Sequence, residues 1–159
     1  MDLEKAYRWA RAKLDEHGLQ NWDVMFDTAR VRFGCCWHGK KLITLSKFLV
    51  ELNNETEVHD TILHEIAHAL VHDGHSQKWK QKALEIGCNG KRCYGGSVKQ
   101  LPPEYSAVCS ECGKVYEQYR KVSAHRDSLC RPCFYKGKHV RLHFVKRTLQ
   151  TGLTKAIAS

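Results

Sequence analysis

The stretch His64-Glu65-Ile66-Ala67-His68 limits this chain more than any other. In a helix, residues four apart share a face, so two imidazoles at that spacing can meet one ion. Glu65 lies about 100° round from His64, within reach of a water on that ion. The surrounding residues make an apolar stripe of helical period, with Val58, Ile62, Leu63, Ile66, Ala67 and Leu70 between about 56 and 72. Ile62, Leu63, Ile66 and Leu70 are expected to face a core, which turns His64 and His68 toward a cleft. A polar patch on a surface helix would lack that apolar backing.

A third ligand is expected downstream. His72 stands four residues beyond His68, but His64 to His72 is a helical rise of about 12 Å. Three rings strung along that length cannot all reach one zinc at about 2.0–2.1 Å. His75 follows the helix-breaking Asp73-Gly74 pair, so the chain can turn back and aim it at His64 and His68. Glu85 in the next helical run is the alternative. The longer H-E-x-x-H-x-x-G-x-x-H pattern is not met, because Val71 and Gly74 occupy its last two defined positions. Three neutral histidines leave a zinc coordination position open for water, the arrangement of a catalytic rather than a structural ion. Glu65 is then placed to take a proton from that water and return it to a leaving amine, which suits peptide-bond hydrolysis.

The rest of the chain before residue 100 reads as α+β. Leu3, Ala6, Tyr7, Ala10 and Leu14 give a helix over 3–17, stopped at Gly18. Trp22-Asp23-Val24-Met25-Phe26, Arg30-Val31-Arg32-Phe33-Gly34 and Lys41-Leu42-Ile43-Thr44-Leu45 read as three strands, with a turn at Gly39. Ser46 caps a short helix through Leu52. Ser76 opens another, with Trp79, Ala83, Leu84 and Ile86 inward, ending at Gly87. Leu101-Pro102-Pro103 is a stiff linker. The expected organisation is a first domain over 1–100, a small second module over 101–148 and a tail over 149–159.

The second module is set by Cys109-Ser110-Glu111-Cys112 and Cys130-Arg131-Pro132-Cys133, with 17 residues between the pairs. That spacing is specific for a four-cysteine structural zinc ribbon rather than for redox pairs. A module of about 40 residues has little core, so the metal would supply its fold stability. Gly113 permits the tight turn after the first pair. Short β-type runs are expected at Tyr105–Val108, 115–119 and 139–144. Cys35, Cys36, Cys88 and Cys93 read as small core or edge residues.

Charge divides the chain. Residues 1–88 hold 12 Lys/Arg and 13 Asp/Glu, a net of −1, while residues 89–159 hold 14 and 4, a net of +10. A wholly basic half points to nucleic acid. The candidate contacts are Lys114, Arg120, Lys121, Arg126, Arg131, Lys136, Lys138 and Arg141, interleaved with Tyr116, Tyr119, Phe134, Tyr135 and Phe144. Cations meet phosphates and rings can stack on unpaired bases, although many of these rings serve the ribbon's own core. No apolar run approaches the ~18 residues of a membrane helix, and the charged N-terminus lacks signal-peptide layout. An intracellular monomer without membrane contact is expected, at the nucleoid or, in a eukaryote, in the nucleus. Eight cysteines in a reducing compartment then serve metal and core.

Taken together, these stretches resemble the SprT-like metalloproteases, the family that includes the DNA-dependent protease Spartan. The matching residues are Trp22-Asp23-Val24 with Phe26, Arg32-Phe33-Gly34, Ile43-Thr44-Leu45-Ser46, the run from Thr61 through His64-Glu65 and His68 to Leu70, and Gly74-His75 with Trp79. Gly87-Cys88, Arg92-Cys93 and the C-terminal cysteine pairs follow the same pattern, so the resemblance covers about residues 1–148. It implies a minigluzincin-like core with a three-stranded antiparallel sheet, followed by a zinc ribbon. It also implies zinc on His64, His68 and His75, with Glu65 as the catalytic glutamate. Family members of the Spartan type cut proteins bound or crosslinked to DNA, and DNA gates their activity. The long regulatory tails of the animal protein have no room here, and their ubiquitin and clamp binding do not carry over.

The sequence therefore points to a zinc endopeptidase holding one catalytic and one structural Zn²⁺, with single- or double-stranded DNA and DNA-associated proteins as partners. The competing reading is a non-catalytic zinc-containing DNA-binding module, which has no need of Glu65. A nuclease fits less well, since nucleases favour oxygen-ligated Mg²⁺.

Overall fold

The computed structural model describes residues 1–92, 97–123 and 128–147. The chain forms two compact units that divide between Leu101 and Pro102. No helix among the described residues is long and apolar enough to cross a membrane.

In the first unit, α1 (Leu3–Glu16) starts where the Asp2 side chain accepts from the Lys5 N–H, and it buries Ala6, Ala10 and Leu14. Gly18, at φ +73°, ends it in the left-handed region that a glycine enters without steric cost. Strands β1 (Asp23–Asp27), β2 (Gly34–Trp37) and β3 (Leu42–Ser46) follow, with a 3₁₀ turn at His38–Lys40. Ser46 caps α2 (Lys47–Leu52) by accepting from the Leu49 N–H. Asn54 caps α3 (Glu55–Leu70), and Ser76 caps α4 (Gln77–Glu85).

The sheet corrects two expectations. Its order is β1-β3-β2, with β1 parallel and β2 antiparallel to β3, so it is mixed rather than antiparallel. Ile43 and Leu45 of β3 are wholly buried, and that strand takes the centre. The chain leaving β1 must then cross the end of β3 to reach its far side, about 10 Å at the usual strand spacing. Residues 28–33 make this crossing, which is why they are not the second strand. Asp27 accepts from the Ala29 N–H (2.9 Å) and pairs with Arg32 (2.6 Å), closing a turn at the start. Ser46 fastens the loop to β3: its N–H donates to the Phe33 carbonyl and its hydroxyl to the Ala29 carbonyl. Phe33, with no exposed surface, plugs the core from this loop.

Helices α1 and α3 lie against the sheet, and α4 packs on α3. Val58, Ile62, Ile66 and Ala69 of α3 join the main core with Phe33, Ile43 and Leu45. Leu63 and Ala67 turn instead to Trp79, Ala83 and Cys88 in a second cluster under α4. Buried Asn53 ties the chain near residue 99 to this unit, accepting from the Lys99 N–H and donating to the Lys99 carbonyl.

The second unit is a three-stranded antiparallel sheet in the order β5-β4-β6, made of β4 (Tyr105–Val108), β5 (Val115–Gln118) and β6 (Val145–Lys146), with a single turn α5 (Arg131–Phe134). The strand expected over 139–144 is not a ladder. Only the bridge Leu129↔Arg141 forms there. Val140 and Leu142 still alternate inward, against the buried cysteines. The periodicity in the sequence thus records burial against the cysteine cluster rather than strand pairing.

Candidate metal centre

Helix α3 brings His64 and His68 to one face, and the turn after it returns His75 to them. The His75 Nε2 lies 3.0 Å from the His64 Nε2 and 3.2 Å from the His68 Nε2. All three donor atoms fall within 4.8 Å of one another. Nitrogens bound tetrahedrally at zinc distances stand about 3.3 Å apart, so the donor set fits that ion. Burial, then repulsion from His68 and His75, lowers His64 to about 4. His68 and His75 are likewise lowered, first by burial. Neutral imidazoles offer the lone pairs a metal requires.

The outer contacts orient these rings. A ring N–H of His64 donates to the Lys91 carbonyl, and the His68 Nδ1 lies 3.3 Å from the Asp73 carbonyl oxygen. Such partners fix the tautomer that presents the other nitrogen to metal. Lys91 is held in place because Asp60 of α3 grips Asn89, accepting from its backbone N–H (2.7 Å) and its side-chain amide (2.6 Å). Trp79 of α4 lies beneath all three rings, with centroids 4.7 Å from His64, 5.1 Å from His68 and 4.6 Å from His75. His72 takes no part; its ring packs on His38 at 4.2 Å. Glu85 is paired with Lys82 on the outer side of α4.

Glu65 is 5 % exposed, an unusual place for a carboxylate. Burial raises it to about 7, opposed by the charge of Arg32 and by the Cys36 backbone N–H, which donates to it. It shares a cleft with Gly34, Cys35, Cys36, His38, His64, His68, His75 and Arg92. Cys35 and Cys36 are half-buried on edge strand β2 and help wall this cleft, and burial pushes Cys36 up to about 12. Cys88 is a core residue, and Cys93 lies outside the described residues. The sequence reading missed the part β2 plays here, as well as the Asn89–Lys91 loop. Only the glycine in an otherwise extended run hinted at the first, and nothing local signalled the second.

In the second unit, the sulfurs of Cys109, Cys112, Cys130 and Cys133 lie within 4.8 Å of one another. Cys109 and Cys133 are 3.7 Å apart, Cys112 and Cys130 3.5 Å. Thiolates around a tetrahedral zinc stand about 3.8 Å apart, so this set also fits, and four protein ligands close it. The Tyr116 hydroxyl reaches the Cys130 sulfur at 3.2 Å. Gly113, at φ +68°, supplies the turn after the first pair, its N–H donating to the Cys109 carbonyl.

The basic candidates scatter over this unit. Lys121 and Arg141 line one groove with Tyr105, Phe144 and Lys146. Lys114 sits over the Tyr116 ring, and Lys138 is paired with Glu111. Arg120, Arg131 and Lys136 are exposed outside the groove lining, and Arg126 lies outside the described residues.

A model of the SprT-like family matches residues 3–120. No curated protein matches the sequence. Among solved structures, the fold is similar to the metallopeptidase zymogen abylysin of Pyrococcus abyssi, at 21 % identity and TM-score 0.44, over 57 % of this chain and 84 % of that one.

Proposed function

Because the chain belongs to the SprT-like family, a family of metalloproteases, we propose that it is a zinc-dependent endopeptidase acting on proteins bound or crosslinked to DNA. The observation that carries the hydrolytic part is Glu65, a nearly buried carboxylate in the same cleft as three convergent histidine nitrogens. A metal scaffold without catalysis has no use for such a group, whose burial is costly. His64, His68 and His75 hold the catalytic ion, and Cys109, Cys112, Cys130 and Cys133 a second, structural one. Zinc bound by the three histidines would supply Lewis acidity, polarising a carbonyl and making water acidic near neutral pH. Glu65 then accepts the proton of the attacking water and delivers it to the departing amine. Strand β2, at the sheet edge, borders the cleft, and an extended segment in mid-chain can lie along such an edge.

The DNA-directed part is supported by the second unit. Its groove combines Lys121, Arg141 and Lys146 with the rings of Tyr105 and Phe144. Cations beside half-buried rings that line an open groove suit phosphates with unpaired bases. The protein then works as a monomer within the cell, at the nucleoid or in the nucleus, with DNA selecting its substrates. The test is to incubate zinc-loaded protein with a DNA-binding protein, alone and with single- or double-stranded DNA. DNA should accelerate cleavage, and the gain should fade as salt rises. Lys121→Glu with Lys146→Glu should lose the gain and keep basal cleavage. Equal rates with and without DNA would remove DNA from this reading, and no cleavage in any arm would remove the peptidase.

A further inference from the structure

Gly34 is the first residue of strand β2, buried and paired opposite Leu45 of β3, and its φ is not positive. Where no left-handed backbone requires a glycine, its missing side chain marks the close approach of another group. That group is Glu65. A Cβ built at position 34 would lie 2.7 Å from the Glu65 Cγ, 2.7 Å from its Oε1 and 3.0 Å from its Cδ. Two residues along the same strand, the Cys36 N–H donates to the Glu65 carboxylate. The edge of β2 therefore gives Glu65 both a hollow and a donor, while His64 and His68 flank it on α3.

We infer that Gly34 is a positioning residue, its missing side chain forming the seat that holds Glu65 in the cleft. The inference rests on the protease reading for its effect on rate, but not for the steric coupling itself. A methyl group at position 34 needs the carboxylate to move, and Glu65 is almost wholly enclosed. The cleft it shares with His64, His68 and His75 offers space, and movement into it takes the base out of line with the water it must deprotonate. A displacement of about 1 Å in such a group can cost about 100-fold in rate.

The test uses the full zinc-loaded chain carrying Gly34→Ala, with Gly39→Ala as control, because a Cβ at Gly39 meets nothing within 4 Å. Gly34→Ala should lower kcat about 100-fold with KM within about threefold and zinc content unchanged, since only placement of the base is altered. The control should match the parent. A Gly34→Ala enzyme with parental kcat overturns the inference. A second measurement, the urea midpoint of a double-mutant cycle, covers poor folding of the variant. Gly34→Ala should lower the midpoint when Glu65 is present and not in a Glu65→Ala background, where the clashing atoms are gone. An equal loss in both backgrounds, or failure of both to fold, overturns the inference. A parent that cleaves nothing counts against the protease reading, and the cycle still decides whether Gly34 seats Glu65.

Discussion

Glu65 links stability to pH in a way that identifies its surroundings. Its ordinary value of 4.5 rises to about 7, because burial disfavours the charged form more than Arg32 and the Cys36 N–H favour it. The metal-free native state therefore keeps a proton that the unfolded chain has released. The stabilisation is complete below pH 4.5 and is lost as pH rises through about 7. At 1.36 kcal/mol per unit, the loss is about 3 kcal/mol. Urea unfolding of metal-free parent and Glu65→Gln across pH 4 to 8 reads this directly. The parent should fall relative to the variant by about that amount over the interval. A difference that stays constant with pH would mean that Glu65 is not buried as described. None of this was visible from His64-Glu65 as letters, since the burial depends on β2, a strand remote from residue 65 in sequence.

At the scale of elements, the pairing of α3 with α4 carries the metal site. Trp79 is 1 % exposed and floors all three histidine rings while filling the cluster of Leu63, Ala67, Ala83 and Cys88. Trp79→Ala should cost roughly 3–5 kcal/mol, as other large-to-small core changes do, and should also weaken zinc binding. Urea unfolding with zinc titration checks both; unchanged affinity would separate the floor from the site. Helix α3 was legible because its apolar stripe and the Asp73-Gly74 break agree. That agreement also let His75 be separated from His72 by helical rise. The second strand was misplaced because Arg30-Val31-Arg32-Phe33 imitates strand alternation, while the feature that overrides it is the Asp27 turn and its bonds to Ser46. Direction and order in the sheet were beyond local reading, because which strand sits centrally depends on what covers each face.

Over the whole molecule, the boundary falls at the Leu101-Pro102 junction, and each unit holds its own metal-fitting cluster. The cysteine spacing was legible because ligand geometry fixes both knuckles. The grouping of the basic residues was not, because charge counts cannot tell which cations share a groove; Lys121 and Arg141 do, and Lys138 is engaged by Glu111. On the reading proposed above, Glu65 makes a three-histidine metal site hydrolytic. The most direct measurement is cleavage of an unfolded protein substrate by parent and Glu65→Gln, both loaded with zinc and assayed for bound metal. Metal content and folding should be equal, with fragments from the parent and a rate at least about 100-fold lower in the variant. A Glu65→Gln protein that binds zinc and cleaves at the parental rate would contradict it.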